Sequence, residues 1–401
     1  MRMLKIGFAI LAILCAAAAE AQTTQPAAPP LISDTSGGYE RRESLPSLNL
    51  YFPEGSASVR LRKLVRNVLF ESQIDYKFVS GDISTYLRYK YYAKNYTYRI
   101  GVFDTIGFPE VGSRGTSNEF ERVRGGLLLL GFPRDYNRRY FWLLQDDRLT
   151  FGDLANVDNK KNNIYTKVGY QYGTQFDERL NAIVGESRGR ITPVLTAFRD
   201  IGPQRTSIAG AITESARIGT GDYRYTKLEA EGMRRLDITG TSFIFSRLHF
   251  GTFLGYDKCE TPLCKSRPEV ENFSIPRYEM FKMGGREALR AVNDRESQGT
   301  QEIHLTNEYF VPVFRNRDFK TWLMHWNTVY AIGYLGAGTV GFKYNQLFKS
   351  SDAVADAGLG TETALTIRDF EVLVSVIYAR TLHAPENLKG SKVRFSIRTV
   401  R

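Results

Sequence analysis

The chain has 401 residues and a formal charge of +11, is 42% hydrophobic and 13% aromatic, and has a mean hydropathy of −0.31. That length fits two globular domains or one large all-β barrel, and 23 Tyr with 25 Phe favour strands, where flat side chains pack on a pleated face. Beyond the amino terminus no segment reaches the roughly 18 uninterrupted apolar residues of a membrane helix; this excludes a helical membrane protein but not a barrel, whose strands turn every second residue to the lumen.

Residues 1–21, MRMLKIGFAILAILCAAAAEA, read as a signal peptide. Arg2 and Lys5 give the positive start, Gly7 to Leu14 the apolar stretch, and Ala19-Glu20-Ala21 the small-x-small cleavage site before Gln22. The apolar run is too short for a membrane anchor. A lipoprotein attached through Cys15 is disfavoured, because Leu14 is bulky where a small residue is expected. The expected product is an exported protein whose mature form begins near Gln22.

Residues 22–56 are rich in Pro, Ala, Ser and Gly and are expected to form a flexible linker. Over 57–72, Leu61, Leu64, Val65, Val68 and Leu69 fall at helical spacing among Arg60, Arg62, Lys63 and Arg66. A short amphipathic helix or a first strand is the expectation there, ahead of a basic plug or a helix lying on anionic lipid.

From Gln73 the pattern has period two. In ISTYLRYKYY, Ile83, Thr85, Leu87, Tyr89 and Tyr91 alternate with Ser84, Arg88 and Lys90; a tight joint at Lys94-Asn95 then returns the chain as a hairpin. In YRYTKLEAEGM, Lys227, Glu229 and Glu231 share one face, opposite Thr226, Leu228 and Ala230. Both signs of charge facing apolar groups suit a polar lumen and a lipid-facing exterior. The fold class is therefore all-β: residues 73–401 are expected to form a transmembrane antiparallel β-barrel of about 16 strands, eleven before residue 281 and five after. Short connections (93–95, 236–240) alternate with long ones (104–118, 256–300), the barrel habit of short periplasmic turns and long outer loops.

With Cys15 removed, Cys259 and Cys264 remain, and an even pair in an exported chain predicts a loop disulfide rather than a metal site. Gly-Glu-Ser-Arg-Gly at 185–189 matches the nucleophile elbow, but the RITPVLTAF that follows is poor helix material. Gly-Ala-Gly-Thr-Val-Gly at 336–341 matches a dinucleotide fingerprint without a βαβ unit and reads as a glycine-rich loop. His249, His304, His325 and His383 are scattered without ligand spacing and read as ordinary strand residues. No enzyme, cofactor or metal is expected. In an exported protein the positive charge points to lipopolysaccharide, anionic outer-membrane lipid or an acidic lumenal solute rather than to nucleic acid.

One stretch is more specific. In YEMFKMGGREALRAV, Phe281, Gly284, Gly285, Leu289 and Arg290 form an aromatic, Gly-Gly, Leu-Arg series that resembles the signature of the BamA/TamA-type outer-membrane assembly superfamily, the bacterial surface antigen family. Ala291 and Val292 depart from the family's Gly and aromatic. The resemblance covers about residues 274–401 and implies a loop that folds from the outside into the lumen, its arginine meeting acidic residues on the following strands. Glu308 in TNEYFVPVF falls where the first acidic partner is expected. On the next strand Ala331 in VYAIG replaces the aspartate of the family's aromatic-x-Asp-x-Gly pattern, so one acidic contact is expected to be missing. No room is left for a periplasmic POTRA domain. The resemblance implies protein or lipid insertion or translocation, with a client outer-membrane protein or periplasmic partner; the alternative is a POTRA-less channel or structural barrel.

Overall fold

The computed structural model describes residues 47–399, apart from 53–55, 66–67, 78–82, 93–95, 108–118, 134–137, 154–155, 174–205, 216–221, 239–241, 257–274, 277–278, 285–287, 293–297, 322–323, 350 and 368–369. The first strands are β1 (Ser47–Phe52), β2 (Ser56–Val65), β3 (Val68–Lys77), β4 (Ile83–Tyr92), β5 (Thr97–Gly107) and β6 (Glu119–Pro133). They continue through β7 (Arg138–Asp153), β8 (Asn156–Gly173), β9 (Thr206–Ser215), β10 (Tyr225–Asp237) and β11 (Phe243–Tyr256). Two short strands, β12 (Phe281–Lys282) and β13 (Gln298–Gly299), pair only with each other. The wall then resumes with β14 (Gln301–Thr321), β15 (Met324–Gly341), β16 (Val354–Ile367), β17 (Phe370–His383) and β18 (Ser391–Thr399).

Apart from β12 and β13, each strand pairs antiparallel with its neighbours in the chain, β11 with β14, and β1 meets β18 to close a barrel of sixteen strands. Eleven wall strands precede the β12–β13 segment and five follow it; the total of sixteen agrees with the sequence count, but three of the eleven, β1 to β3, start before residue 73, where that count began. Among the described residues the closing seam is short. Asn49–Phe52 pair with Phe395–Arg398, whereas β17 pairs with β18 along Val372–Arg380. Connections at one rim are brief (66–67, 93–96, 134–137, 238–242, 322–323, 368–369), with 174–205 the long exception. The inserted segment 257–300 belongs to the other rim, as does 108–118.

Polarity is inverted relative to a water-soluble sandwich. On β10 the burial alternates so that Lys227, Glu229 and Glu231 are buried, while Thr226, Leu228 and Ala230 on the opposite face are only half-buried. On β4, Ser84, Tyr86 and Arg88 turn inward and Ile83 and Leu87 outward. Around the barrel, Leu87, Val102, Val168, Ile212, Leu254, Leu335, Leu359 and Val393 are exposed. An outward apolar belt of this extent is unsuited to water and matches hydrocarbon. No helix among the described residues is long and apolar enough to cross a membrane. The strands do the spanning.

This polarity makes Leu335 a sensitive outer position. Leu335→Arg is expected to lower the stability of the folded barrel by roughly 2–4 kcal/mol if the residue lies at the bilayer midplane, falling to about 0–1 near a rim. Reversible unfolding in lipid vesicles measures the loss, and no loss at any depth would contradict an outward-facing Leu335.

Three sequence expectations change. Residues 57–72 take the strand alternative rather than the helix: 57–65 lie in β2 and 68–72 in β3, which pair with Leu64 opposite Leu69 and Val65 opposite Val68. The first described wall strand starts at Ser47, inside the segment read as linker, rather than near residue 73. The glycine-rich 336–341 stretch is not a loop but the end of β15. The signal peptide, most of the 22–56 linker, the Gly185–Gly189 stretch and the Cys259–Cys264 pair lie outside the described residues.

Candidate functional site: a loop held on the inner wall

The described residues of the connection between β11 and β14, in the stretch 275–300, lie along the inner face of the barrel. At its base, Phe281 pairs with Gly299 and Lys282 with Gln298, which pinches the segment into a closed loop. The base is tied to the wall by charge. Lys227 of β10 reaches Glu279 of the loop at 3.3 Å and Glu229 at 3.1 Å, and lies 4.6 Å from the Phe281 ring centroid. The Phe281 ring occupies space over Gly251, where a Cβ would overlap it. Loop residues Met280, Phe281, Met283, Leu289 and Val292 join one buried apolar cluster with Tyr225, Phe253, Val340 and Val354 of the wall. Gly284 is half-buried at the start of the tip, and Gly285 lies outside the described residues.

The tip, residues 288–292, is buried throughout. Arg290 Nη2 donates to Glu308 Oε1 at 2.5 Å, so the expected arginine–glutamate pair forms, through one hydrogen bond. The guanidinium carbon lies 4.6 Å from the Tyr334 ring centroid, so the remaining face of the cation rests on aromatic density. The Tyr334 hydroxyl accepts from the Arg290 backbone N–H at 3.3 Å. Its single proton serves either the Ala288 carbonyl at 2.9 Å or Asp356 Oδ1 at 3.0 Å.

A second carboxylate is present, contrary to the expectation built on Ala331. Inward residues of β15 are even-numbered here, Ile332, Tyr334 and Gly336, so Ala331 stands on the outer face and could not meet the loop. The acid comes one strand later. Asp356 of β16 is fully buried, and its Oδ2 accepts the backbone N–H of Ala291 at 2.8 Å. Gly336, its cross-strand partner, leaves the space that Tyr334, Asp356 and Leu289 fill together. The Asp-x-Gly pattern is therefore Asp356-Ala357-Gly358.

The last strand also holds the tip. Arg394 of β18 donates from Nε to the Arg290 carbonyl at 2.6 Å and from Nη2 to the Val292 carbonyl at 2.8 Å. Glu308, Tyr334, Asp356 and Arg394 thus hydrogen-bond to four of the five tip residues, Ala288 and Arg290 to Val292, from β14, β15, β16 and β18. Sequence reading missed Tyr334, Asp356 and Arg394. The Asp-Ala-Gly triplet and the alternation of Lys-Val-Arg-Phe at 392–395 were the available signals.

No family model and no curated protein matches the sequence. Among solved structures, BamA from Haemophilus ducreyi, in a form lacking POTRA domains 1–3, superposes with a TM-score of 0.60 at 13% identity, over 88% of this chain and 69% of that one. The fold is that of a BamA-type outer-membrane barrel. CdiB from Escherichia coli (TM-score 0.60, 12% identity, 88% of this chain and 62% of that one) shares it. So does CdiB from Acinetobacter baumannii (0.54, 12%, 88% and 59%). The chain spans about three fifths of the length of the two CdiB proteins. At such low identity the likeness to the BamA-type barrel is one of architecture, and the loop contacts above stand on this chain's own residues.

Proposed function

We propose that the chain is an outer-membrane barrel that inserts or translocates protein or lipid at its seam, and that it catalyses no covalent reaction. The observation that carries this reading is the grip of the inward loop on β18. Its tip hydrogen-bonds to Arg394, beside the stretch where, among the described residues, Asn49–Phe52 of β1 pair with β18. Among the described residues the seam is four residues a side, and a short seam would leave the edge of β18 able to pair with an added strand, since unpaired backbone groups at a sheet edge are a template for another chain. The inward loop supports that edge from the lumen side. The reading also draws on the architecture shared with BamA and CdiB, and it places the chain against outer-membrane lipid and lipopolysaccharide.

A photocrosslinker placed in turn along Lys392–Arg401 tests it in cells. Adducts with nascent outer-membrane proteins are expected. They should vanish when the Leu50 and Ile397 positions, which are Cα partners across the seam, are changed to cysteine and oxidised in a Cys259→Ser/Cys264→Ser background, and return on reduction. A folded, membrane-inserted barrel that never gives such adducts would leave the channel or purely structural role in its place.

A further inference from the structure

Two imidazoles and a carboxylate meet on the inner wall where β11 and β14 run side by side. His249 and His304 are Cα partners in that pairing, with ring centroids 5.1 Å apart and planes 26° from parallel. Glu302 precedes His304 by two residues and so shares its face. Its Oε1 lies 2.8 Å from His304 Nδ1 and its Oε2 3.6 Å from His249 Nδ1. One nitrogen or oxygen from each residue lies within 4.8 Å of the other two. All three residues are buried, at 8%, 3% and 4% exposure, and His249 Nδ1 is enclosed without a hydrogen-bond partner.

Burying an imidazole nitrogen with nothing to bond costs free energy that a membrane barrel has little reason to spend on its wall. The nearby cations have carboxylate partners of their own. Arg247 is bonded to Glu231, and Lys227 is held between Glu229 and Glu279. What remains is a convergent N2O donor set. Two imidazoles and a carboxylate suit a borderline-soft divalent ion, with a fourth tetrahedral position for water or a small solute. The cluster also has a structural neighbour worth bracing. The Phe281 ring at the loop base sits edge-on to His249, 6.2 Å between centroids at 61°.

We propose that His249, Glu302 and His304 form a divalent transition-metal site, matched to Zn2+, that staples β11 to β14 beneath the base of the inward loop. Scattered in sequence, the two histidines lack any ligand spacing; the antiparallel register of β11 and β14 supplies it. The proposal stands apart from the seam reading, because it needs only the wall.

The full chain without a histidine tag, refolded in detergent after chelation, is titrated with Co2+ and then Zn2+. The expected result is a visible ligand-field band saturating at about one Co2+ per chain and displaced by Zn2+, with a higher unfolding temperature in excess Zn2+. His249→Asn and Glu302→Gln should each weaken binding by about tenfold or more. Absence of the band in the folded wild-type protein would overturn the site and leave a hydrogen-bonded cluster only, and this result does not depend on whether either variant folds. Binding of equal strength in wild type and in both folded variants would place the ion elsewhere and overturn it equally.

Discussion

Arg290→Ala and Glu308→Gln are each expected to lower the stability of the folded barrel by roughly 3–5 kcal/mol, the range for stripping one partner from a buried ion pair. Both side chains are buried, and they meet through a single 2.5 Å hydrogen bond. Removing Arg290 leaves the Glu308 carboxylate facing a lumen wall already crowded with groups of both signs. Removing the charge of Glu308 leaves a guanidinium whose other support is the Tyr334 ring, and cation–π attraction alone is worth about 0.5–2 kcal/mol. Arg290→Lys should not restore stability, because an ammonium cannot reach Glu308 and lie flat on Tyr334 together. Urea unfolding in detergent, with the heat-dependent gel shift as a second readout, measures the three variants and the double change. The double change should cost clearly less than the sum of the single ones, since the two residues share one interaction. Strict additivity would mean that the pair does not act as a pair in solution.

The barrel was legible in sequence because a transmembrane strand writes its two solvents into alternate residues. Lys227, Glu229 and Glu231 against Thr226, Leu228 and Ala230 is that signal in six residues, and the structure turns the charged three inward. The β2–β3 hairpin hid for an equally physical reason. The pairing of β2 with β3 sets Leu64 opposite Leu69 and Val65 opposite Val68, and apolar residues one, four and five apart across two paired strands mimic a helical stripe. The Arg290–Glu308 pair was legible because eighteen residues of chain connect them through a recognisable loop. Asp356 was not, since the expectation attached the second acid to the strand after Glu308. Parity excludes Ala331 there, and parity is read only once the register of β14 and β15 is known. His249 and His304 show the same limit. They lie 55 residues apart in sequence and directly opposite across two strands, a juxtaposition that only the pairing of β11 with β14 creates.

The other large effect should come from Arg394, the residue that joins the loop to the closing strand. Arg394→Ala removes two charge-assisted hydrogen bonds, to the carbonyls of Arg290 and Val292. Bonds of this kind contribute about 1.5–3 kcal/mol each, so the loss should lie near roughly 3–6 kcal/mol, lower if water enters to solvate the freed carbonyls. Arg394→Lys should recover little of it. The two bonds come from Nε and Nη2 in fixed divergence, and an ammonium on a flexible stem cannot reproduce them. The loop would still be held by Glu308, Tyr334 and Asp356, so its tip should loosen on the β18 side while keeping its seat on β14 to β16. Hydrogen exchange at the backbone N–H of Val292 and along Ser391–Thr399 distinguishes this from general unfolding. Faster exchange is expected there, with β10 and β11 unchanged. If exchange rises uniformly around the barrel, Arg394 is a general stabiliser of the wall rather than the link between loop and seam. If it rises only at the seam, seam crosslinking to client strands should change in the same variant, because one residue then couples the inward loop to the edge where an added strand would pair.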